Sequence, residues 1–193
     1  MAQLFVGVHR APPPGPLPDL ISAFERLGLN DQTVLPDGPA THAFLVVLLE
    51  EKYPLRLEGE PPHAVINPWT PYLKDTDVAI WEIGCSTFFA EKMISHALKL
   101  IRTRYAYPVE ELGRQAVALV GNAVGVDMQE VAMARLFPGA GICTRFVADV
   151  LEHGDDYAHG LVAGLPNLAP EALAQILKAN QNTYRLQRVW RLW

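Results

Sequence analysis

Residues 41–58 read THAFLVVLLEEKYPLRLE, and this stretch predicts an antiparallel hairpin. Its first half is an apolar run rich in valine and leucine, and residues 54–58 alternate leucine with charged side chains, as a half-buried strand does. Residues 50–52 form a polar turn between the two halves. With the turn centred there, cross-strand partners have numbers that sum to about 100, so we expect His42 to face Glu58 directly.

The remaining pattern predicts a sheet accompanied by helices. Residues 12–18 are proline-rich and can neither continue a strand nor form a helix interior. We predict an α+β fold, with a small antiparallel sheet packed against helices. Three segments follow: residues 1–40, with a strand, the proline-rich connector and a helix; a core at 41–180; and an aromatic and basic C-terminal arm at 181–193. The further predicted strands are 3–9, 63–67 and 78–83, and the predicted helices are 19–27, 87–102, 111–137, one from Cys143 onward, and 170–179.

Composition narrows the class of protein. The chain has 193 residues, of which 50% are hydrophobic, which is typical of one globular domain. A net charge of −5 with scattered basic residues gives no attraction to phosphate backbones, so nucleic acid is not an expected partner. No apolar run reaches membrane-spanning length and none resembles a signal peptide, so we expect a product made in the cytoplasm. In that reducing compartment Cys85 and Cys143 are expected to be free thiols.

Cys143 is the leading candidate for a reactive side chain. It is predicted at the start of an amphipathic helix and on the same face as Val147. The unpaired N–H groups and partial positive charge of a helix N-terminus favour a thiolate. The alternative is a buried cysteine that acts as a small hydrophobic residue. Together with His42 and Glu58 it forms a candidate thiol, imidazole and carboxylate set.

Five short motifs resemble one protein family. They are THAFLVV at 41–47, LRLE at 55–58, INPWTPYL at 66–73, VAIWEI at 78–83 and ICTRFV at 142–147. In this order they resemble the circularly permuted branch of the NlpC-type papain-like cysteine hydrolases, in which histidine precedes cysteine. The resemblance implies a permuted papain-like topology, with Cys143 as nucleophile, His42 as base and Glu58 as the residue that orients it.

The resemblance also implies a substrate class. It favours hydrolysis of amide bonds in cell-wall peptides, with a lipid ester or amide as the second substrate class, and it requires no cofactor and no metal. A wall substrate would require delivery, for example as a component of a phage tail or virion. The family's Gly-Asp before its first strand is absent here. A second hypothesis is therefore a structural component of an assembly that keeps the fold.

Two further alternatives stay open from the sequence. Cys85 also precedes a predicted helix, and residues 158–162 around His159 resemble the histidine strand of the unpermuted order, so this pair is a rival to Cys143 and His42. None of the histidines has the spacing of a known zinc motif, so no metal site is expected. In the C-terminal arm, Trp190 and Trp193 with three arginines have the composition of an interface anchor, which predicts a protein partner or self-association.

Overall fold

The computed structural model describes residues 2–10, 33–36, 38–49, 53–60, 63–69, 78–103, 143–163 and 170–189. Its strands are β1 (Gln3–His9), β2 (His42–Leu49), β3 (Tyr53–Glu60), β4 (His63–Pro68), β5 (Val78–Ile83) and β6 (Leu186–Val189). Its helices are α1 (Thr87–Arg102), α2 (Cys143–Leu151), α3 (Asp156–Val162) and α4 (Pro170–Asn180).

The six strands form one antiparallel sheet in the order β4-β3-β2-β1-β5-β6. With the four described helices this is an α+β fold, as the sequence predicts. The predicted strands and the helices α1, α2 and α4 are present, while the predicted helices at 19–27 and 111–137 lie outside the described residues. Among the described part of the chain, no helix is long and apolar enough to cross a membrane.

The sheet has two different faces because successive side chains point to opposite sides. The first face packs against α2 and carries the larger apolar core, which includes Val6, Val8, Leu45, Val47, Trp81, Phe146, Val147, Val150 and Leu151. The second face carries a smaller buried cluster of Phe5, Phe44, Val46, Leu48 and Ile80. Gly7 lies opposite Phe44, and the aromatic ring occupies the space that a Cβ on Gly7 would need.

The hairpin register differs by two residues from the sequence prediction. Partners in β2 and β3 have numbers that sum to 102, so Phe44 rather than His42 lies directly opposite Glu58. His42 and Glu58 are diagonal neighbours. A shift of two residues preserves the face, because side chains alternate with a period of two, so the histidine and the glutamate still share the second face.

Helix α3 is not among the helices that the sequence predicts. Asp155 caps its first turn by accepting a hydrogen bond from the backbone N–H of Ala158 at 3.1 Å. His159 therefore lies on a helix, and the histidine strand of the unpermuted order that the rival reading requires at 158–162 is absent.

Part of the predicted C-terminal arm belongs to the sheet of its own chain. Leu186 is fully buried in the larger core, and β6 pairs with β5. Arg185 forms an ion pair with Asp155 at the start of α3. The prediction that Trp190 and Trp193 contact a partner concerns residues outside the described ranges.

A buried carboxylate on α4 holds the segment that leads into β2. Glu171 is fully buried and accepts hydrogen bonds from the backbone N–H groups of Val34 at 2.7 Å and Ala40 at 2.8 Å. The next backbone N–H, that of Thr41, donates to the carbonyl of His9 at 3.0 Å. These bonds fix the chain immediately before His42.

We predict that Glu171→Ala lowers the free energy of unfolding by about 3 kcal/mol, because two buried N–H donors lose their acceptor. Glu171→Gln keeps one acceptor oxygen and should lose less. Urea denaturation of both variants measures the difference. An alanine variant as stable as the wild type would contradict the anchoring role.

A stacked pair of imidazoles joins α1 to the end of α2. The rings of His96 and His153 are 3.4 Å apart between centroids, and Nδ1 of His153 bonds the Asp149 carbonyl at 2.8 Å. Burial lowers the pKa of His96 below its usual 6.5, with a further lowering by the charges of His153 and Lys99, while Asp149 opposes the shift. Protonation of His96 is therefore disfavoured in the folded state.

This lowered pKa predicts a pH dependence of stability. Because the unfolded chain binds the proton first, the contribution of His96 is complete above pH 6.5 and is lost as the pH falls below that value. We expect wild type to lose more free energy of unfolding than His96→Asn between about pH 7.5 and pH 5.5. Chemical denaturation at both pH values measures this. Equal losses would show that His96 does not carry the effect.

Candidate functional site

Chemically reactive side chains meet at one end of the sheet. His9 ends β1, His42 begins β2, and Cys143 begins α2. Gly59, the next-to-last residue of β3, has no side chain. An added Cβ there would lie 3.3 Å from the Cα of Cys143. The missing side chain lets the start of α2 lie against β3, which brings the thiol to this end of the sheet.

Glu58 is the centre of a buried hydrogen-bond network. Its side chain is fully buried, and Oε2 lies 2.8 Å from Nε2 of His42. Oε1 accepts hydrogen bonds from Nε of Arg56 at 2.5 Å and from Nδ2 of Asn67 at 2.7 Å. Arg56 and Asn67 face each other across β3 and β4. Both carboxylate oxygens are thus engaged, and the orientation of Glu58 toward His42 is fixed.

Nε2 of His42 is hydrogen-bonded to the Glu58 carboxylate, and the Cys143 side chain is near enough to influence the pKa of the ring. Burial by itself lowers the pKa of His42, but the charge of Cys143 and the hydrogen bond with it, followed by those of Glu58, outweigh burial and raise the pKa to about 10. A proton on the imidazole is therefore favoured at neutral pH. The ring links a thiol to a carboxylate.

Glu58 stays ionised in spite of its burial. Burial raises the pKa of a carboxyl group, but the hydrogen bond and charge of His42, with the donors of Asn67 and Arg56, lower the pKa of Glu58 to about 2. A permanent negative charge next to His42 stabilises the imidazolium form and selects which ring nitrogen faces the carboxylate.

The structure brings together the three residues that the sequence singles out, Cys143, His42 and Glu58. Sequence reasoning missed Arg56 and Asn67, which hold the carboxylate. A signal for both was available: Arg56 is two residues from Glu58 and so shares its face, and Asn67 lies in one of the family motifs. These sequence positions alone could not identify the network, because the pairing of Asn67 with Arg56 depends on the register of β3 with β4.

His9 is a further residue that sequence reasoning missed. It lies directly opposite His42, with ring centroids 5.1 Å apart in an edge-to-face arrangement. Burial, and then the charge of His42, lower its pKa to about 3, so the ring is neutral. His9, His42 and Glu58 each place one possible metal-ligand atom within 4.8 Å of the others, and they are the one such group of three among the described residues.

The rival cysteine lies in a different environment. Both cysteines are free thiols, as the sequence predicts. Cys85 is half-buried, and burial, followed by the charge of Asp155, raises its pKa, which disfavours the thiolate. His159 is exposed, and its Nδ1 lies 3.5 Å from the carbonyl of Glu152. Within the described part of the chain, the charges that act on the pKa of Cys85 come from Asp155, Arg185 and Glu82, and none of them is a histidine.

Access to the site is narrow. Cys143 is 2% exposed and Glu58 is fully buried, whereas the His42 side chain retains 14% of its exposure. Of the three side chains His42, Glu58 and Cys143, the imidazole of His42 is therefore the one with the largest contact with solvent. The low exposure of Cys143 has to be weighed in choosing between the two functions that the sequence leaves open, a cysteine hydrolase and a structural component of an assembly.

No family model, no curated protein and no solved structure matches this chain.

The network around Glu58 predicts a large cost when its charge is removed. Glu58→Gln removes the charge of a carboxylate that pairs with the buried Arg56 and should lower the free energy of unfolding by about 3 kcal/mol. Arg56→Met in the same chain should restore about 1–3 kcal/mol relative to the sum of the single variants. Urea denaturation of the full cycle measures the coupling, with the exposed Glu152→Gln as the matched control. Additive single effects would show that the two charges are not coupled.

Proposed function

We propose that this protein is a cysteine hydrolase in which Cys143 is the nucleophile, His42 the general base and acid, and Glu58 the residue that orients His42. One observation carries the proposal: the imidazole of His42 is hydrogen-bonded to a buried carboxylate, and the Cys143 thiol is near enough to raise the pKa of the ring. An imidazolium stabilises an adjacent thiolate, which is the nucleophilic form of cysteine. The carboxylate holds the ring in the required tautomer.

The chemistry follows from these positions. The sulfur of Cys143 attacks the substrate carbonyl carbon, and His42 gives its proton to the leaving group as the bond to that group breaks. A thioester with Cys143 remains. His42, now neutral, takes a proton from water, whose oxygen attacks the thioester and releases the acid and the Cys143 thiolate beside the imidazolium, which restores the starting state. Glu58 stays ionised throughout and stabilises the imidazolium each time it forms.

The permuted papain-like topology is part of this proposal. The chain order of histidine strand, glutamate strand and cysteine helix supports it, since all three meet at one end of an antiparallel sheet. The proposed substrate class, amide bonds in cell-wall peptides, comes from the family resemblance, as does delivery by a phage tail or similar assembly. Lipid esters and amides are the second substrate class.

A second candidate function is favoured by one observation. The sulfur-bearing Cys143 is almost completely buried, at 2% exposure, whereas a nucleophile has to reach its substrate. A structural component of an assembly that retains the fold would have no need for access. The reactivity of the thiol distinguishes this candidate from the hydrolase.

We predict that Cys143→Ala lowers the rate of peptide release from purified cell wall by at least ~10³-fold, because no thioester can form. His42→Gln should cause a loss of similar size, since the acid and base are removed. Cys85→Ala is the matched control, because it deletes the same atom from the second cysteine, which is half-buried, and its activity should equal that of wild type. Circular dichroism checks that each variant is folded.

Acid-quenched mass spectrometry provides an independent readout. During turnover the peptide that contains Cys143 should carry the mass of the acyl group, and Cys85 should not. A panel that contains wall peptides and lipid esters identifies the substrate class. Activity that survives Cys143→Ala and disappears in Cys85→Ala would transfer the role to Cys85. Iodoacetamide that modifies Cys143 only as fast as the protein unfolds, together with no hydrolysis, would favour the structural candidate.

A further inference from the structure

His9 adds a buried imidazole to the proposed catalytic group that the hydrolase chemistry does not use. The residue is 6% exposed, and its Nδ1 atom makes no hydrogen bond of good geometry with a described residue, although the backbone of Arg10 interacts with the ring. An unsatisfied buried nitrogen costs about 1–3 kcal/mol, so its retention requires a reason. The ring faces His42 across the β1 and β2 pair.

The three side chains together offer ligands that Zn²⁺ and other first-row transition-metal ions accept. Two imidazole nitrogens and one carboxylate oxygen form a ligand set that zinc uses in sites that keep an open position. Mg²⁺ and Ca²⁺ prefer oxygen ligands, which the two histidines do not offer. The possible ligand atoms of His9, His42 and Glu58 lie within 4.8 Å of one another.

The geometry requires only small adjustments. With zinc bonds of about 2.0–2.1 Å, tetrahedral ligand atoms are about 3.3 Å apart. Nε2 of His42 and Oε2 of Glu58 are already 2.8 Å apart, and His9 has to approach by no more than about 1.5 Å to close a tetrahedron of that edge. Zinc would replace the hydrogen bond between His42 and Glu58, and the proton of that bond would leave to solvent.

The surroundings of Glu58 favour one oxygen for the metal. Oε1 is held by Arg56 and Asn67, so Oε2 is the ligand atom, and the two donors form an outer shell that fixes the carboxylate. The positive charge of Arg56 opposes a second cation nearby, which limits the affinity. This balance is suited to reversible binding rather than to a permanently held metal.

We propose that His9, His42 and Glu58 bind Zn²⁺, and that the bound ion switches off thiol chemistry by occupying His42. The inhibitory consequence rests on the proposed hydrolase function, whereas the binding itself does not. The site does not include Cys143. This separates it from inhibition in which a metal ion bridges the catalytic thiol and imidazole.

Calorimetric titration of ZnCl₂ into the full-length Cys143→Ala protein tests the site without any need for activity. We expect one zinc ion per chain, no binding of MgCl₂ under the same conditions, and a loss of more than ~100-fold in affinity when His9→Asn is added. His159→Asn is the matched control, because it removes an exposed imidazole, and it should bind zinc like its parent. Zinc binding that disappears in Cys143→Ala, or that survives His9→Asn, would overturn the proposal.

A spectroscopic measurement covers the case in which His9→Asn does not fold. X-ray absorption of zinc bound to the wild-type chain should show two imidazole groups and no sulfur neighbour. A sulfur neighbour at about 2.3 Å would place the ion on Cys143 and overturn the site. If Cys143→Ala binds zinc as expected while the wild type hydrolyses none of the substrates, the zinc site stands and the hydrolase function fails. Zinc that binds as expected but leaves an active hydrolase uninhibited would overturn the inhibitory part.

Discussion

The buried carboxylate of Glu58 is the constraint on which the rest of the site depends. A charge with no exposure to water is tolerated only when donors surround it, and here they come from three neighbouring strands: His42 from β2, Arg56 from β3 and Asn67 from β4. Each donor requires its strand to be in register. The network therefore fixes the relative positions of three strands and the orientation of the imidazole together.

The same dependence links function to folding. A change at Glu58 alters both the proposed activity and the stability of the sheet, so the activity of such a variant cannot be interpreted without its free energy of unfolding. A second carboxylate, Glu171, holds the chain before β2 from the opposite direction through α4. His42 is thus positioned from both sides, by its strand partners and by the segment that precedes it. Preorganisation of this kind is what a general base requires.

The two faces of the sheet carry different groups of side chains. The first face packs the larger core against α2, while the second face carries the imidazoles and the carboxylate at its end. Gly59 connects the two, because its missing side chain lets Cys143 lie next to β3. The cost of this close packing is the low exposure of the sulfur. Of His42, Glu58 and Cys143, His42 has the most exposed side chain, so any substrate, metal ion or thiol reagent would have to approach the site from the side of His42.

The sequence by itself determined the strands, most of the described helices and the three leading site residues, because hydrophobic periodicity and short motifs are local properties. Its hairpin register was wrong by two residues, yet the pairing of His42 with Glu58 survived because alternate residues share a face. Only the tertiary structure decided the roles of His9, Arg56 and Asn67. Their contacts depend on which strands become neighbours across β1 to β4, and that is set by packing of the whole sheet rather than by spacing along the chain.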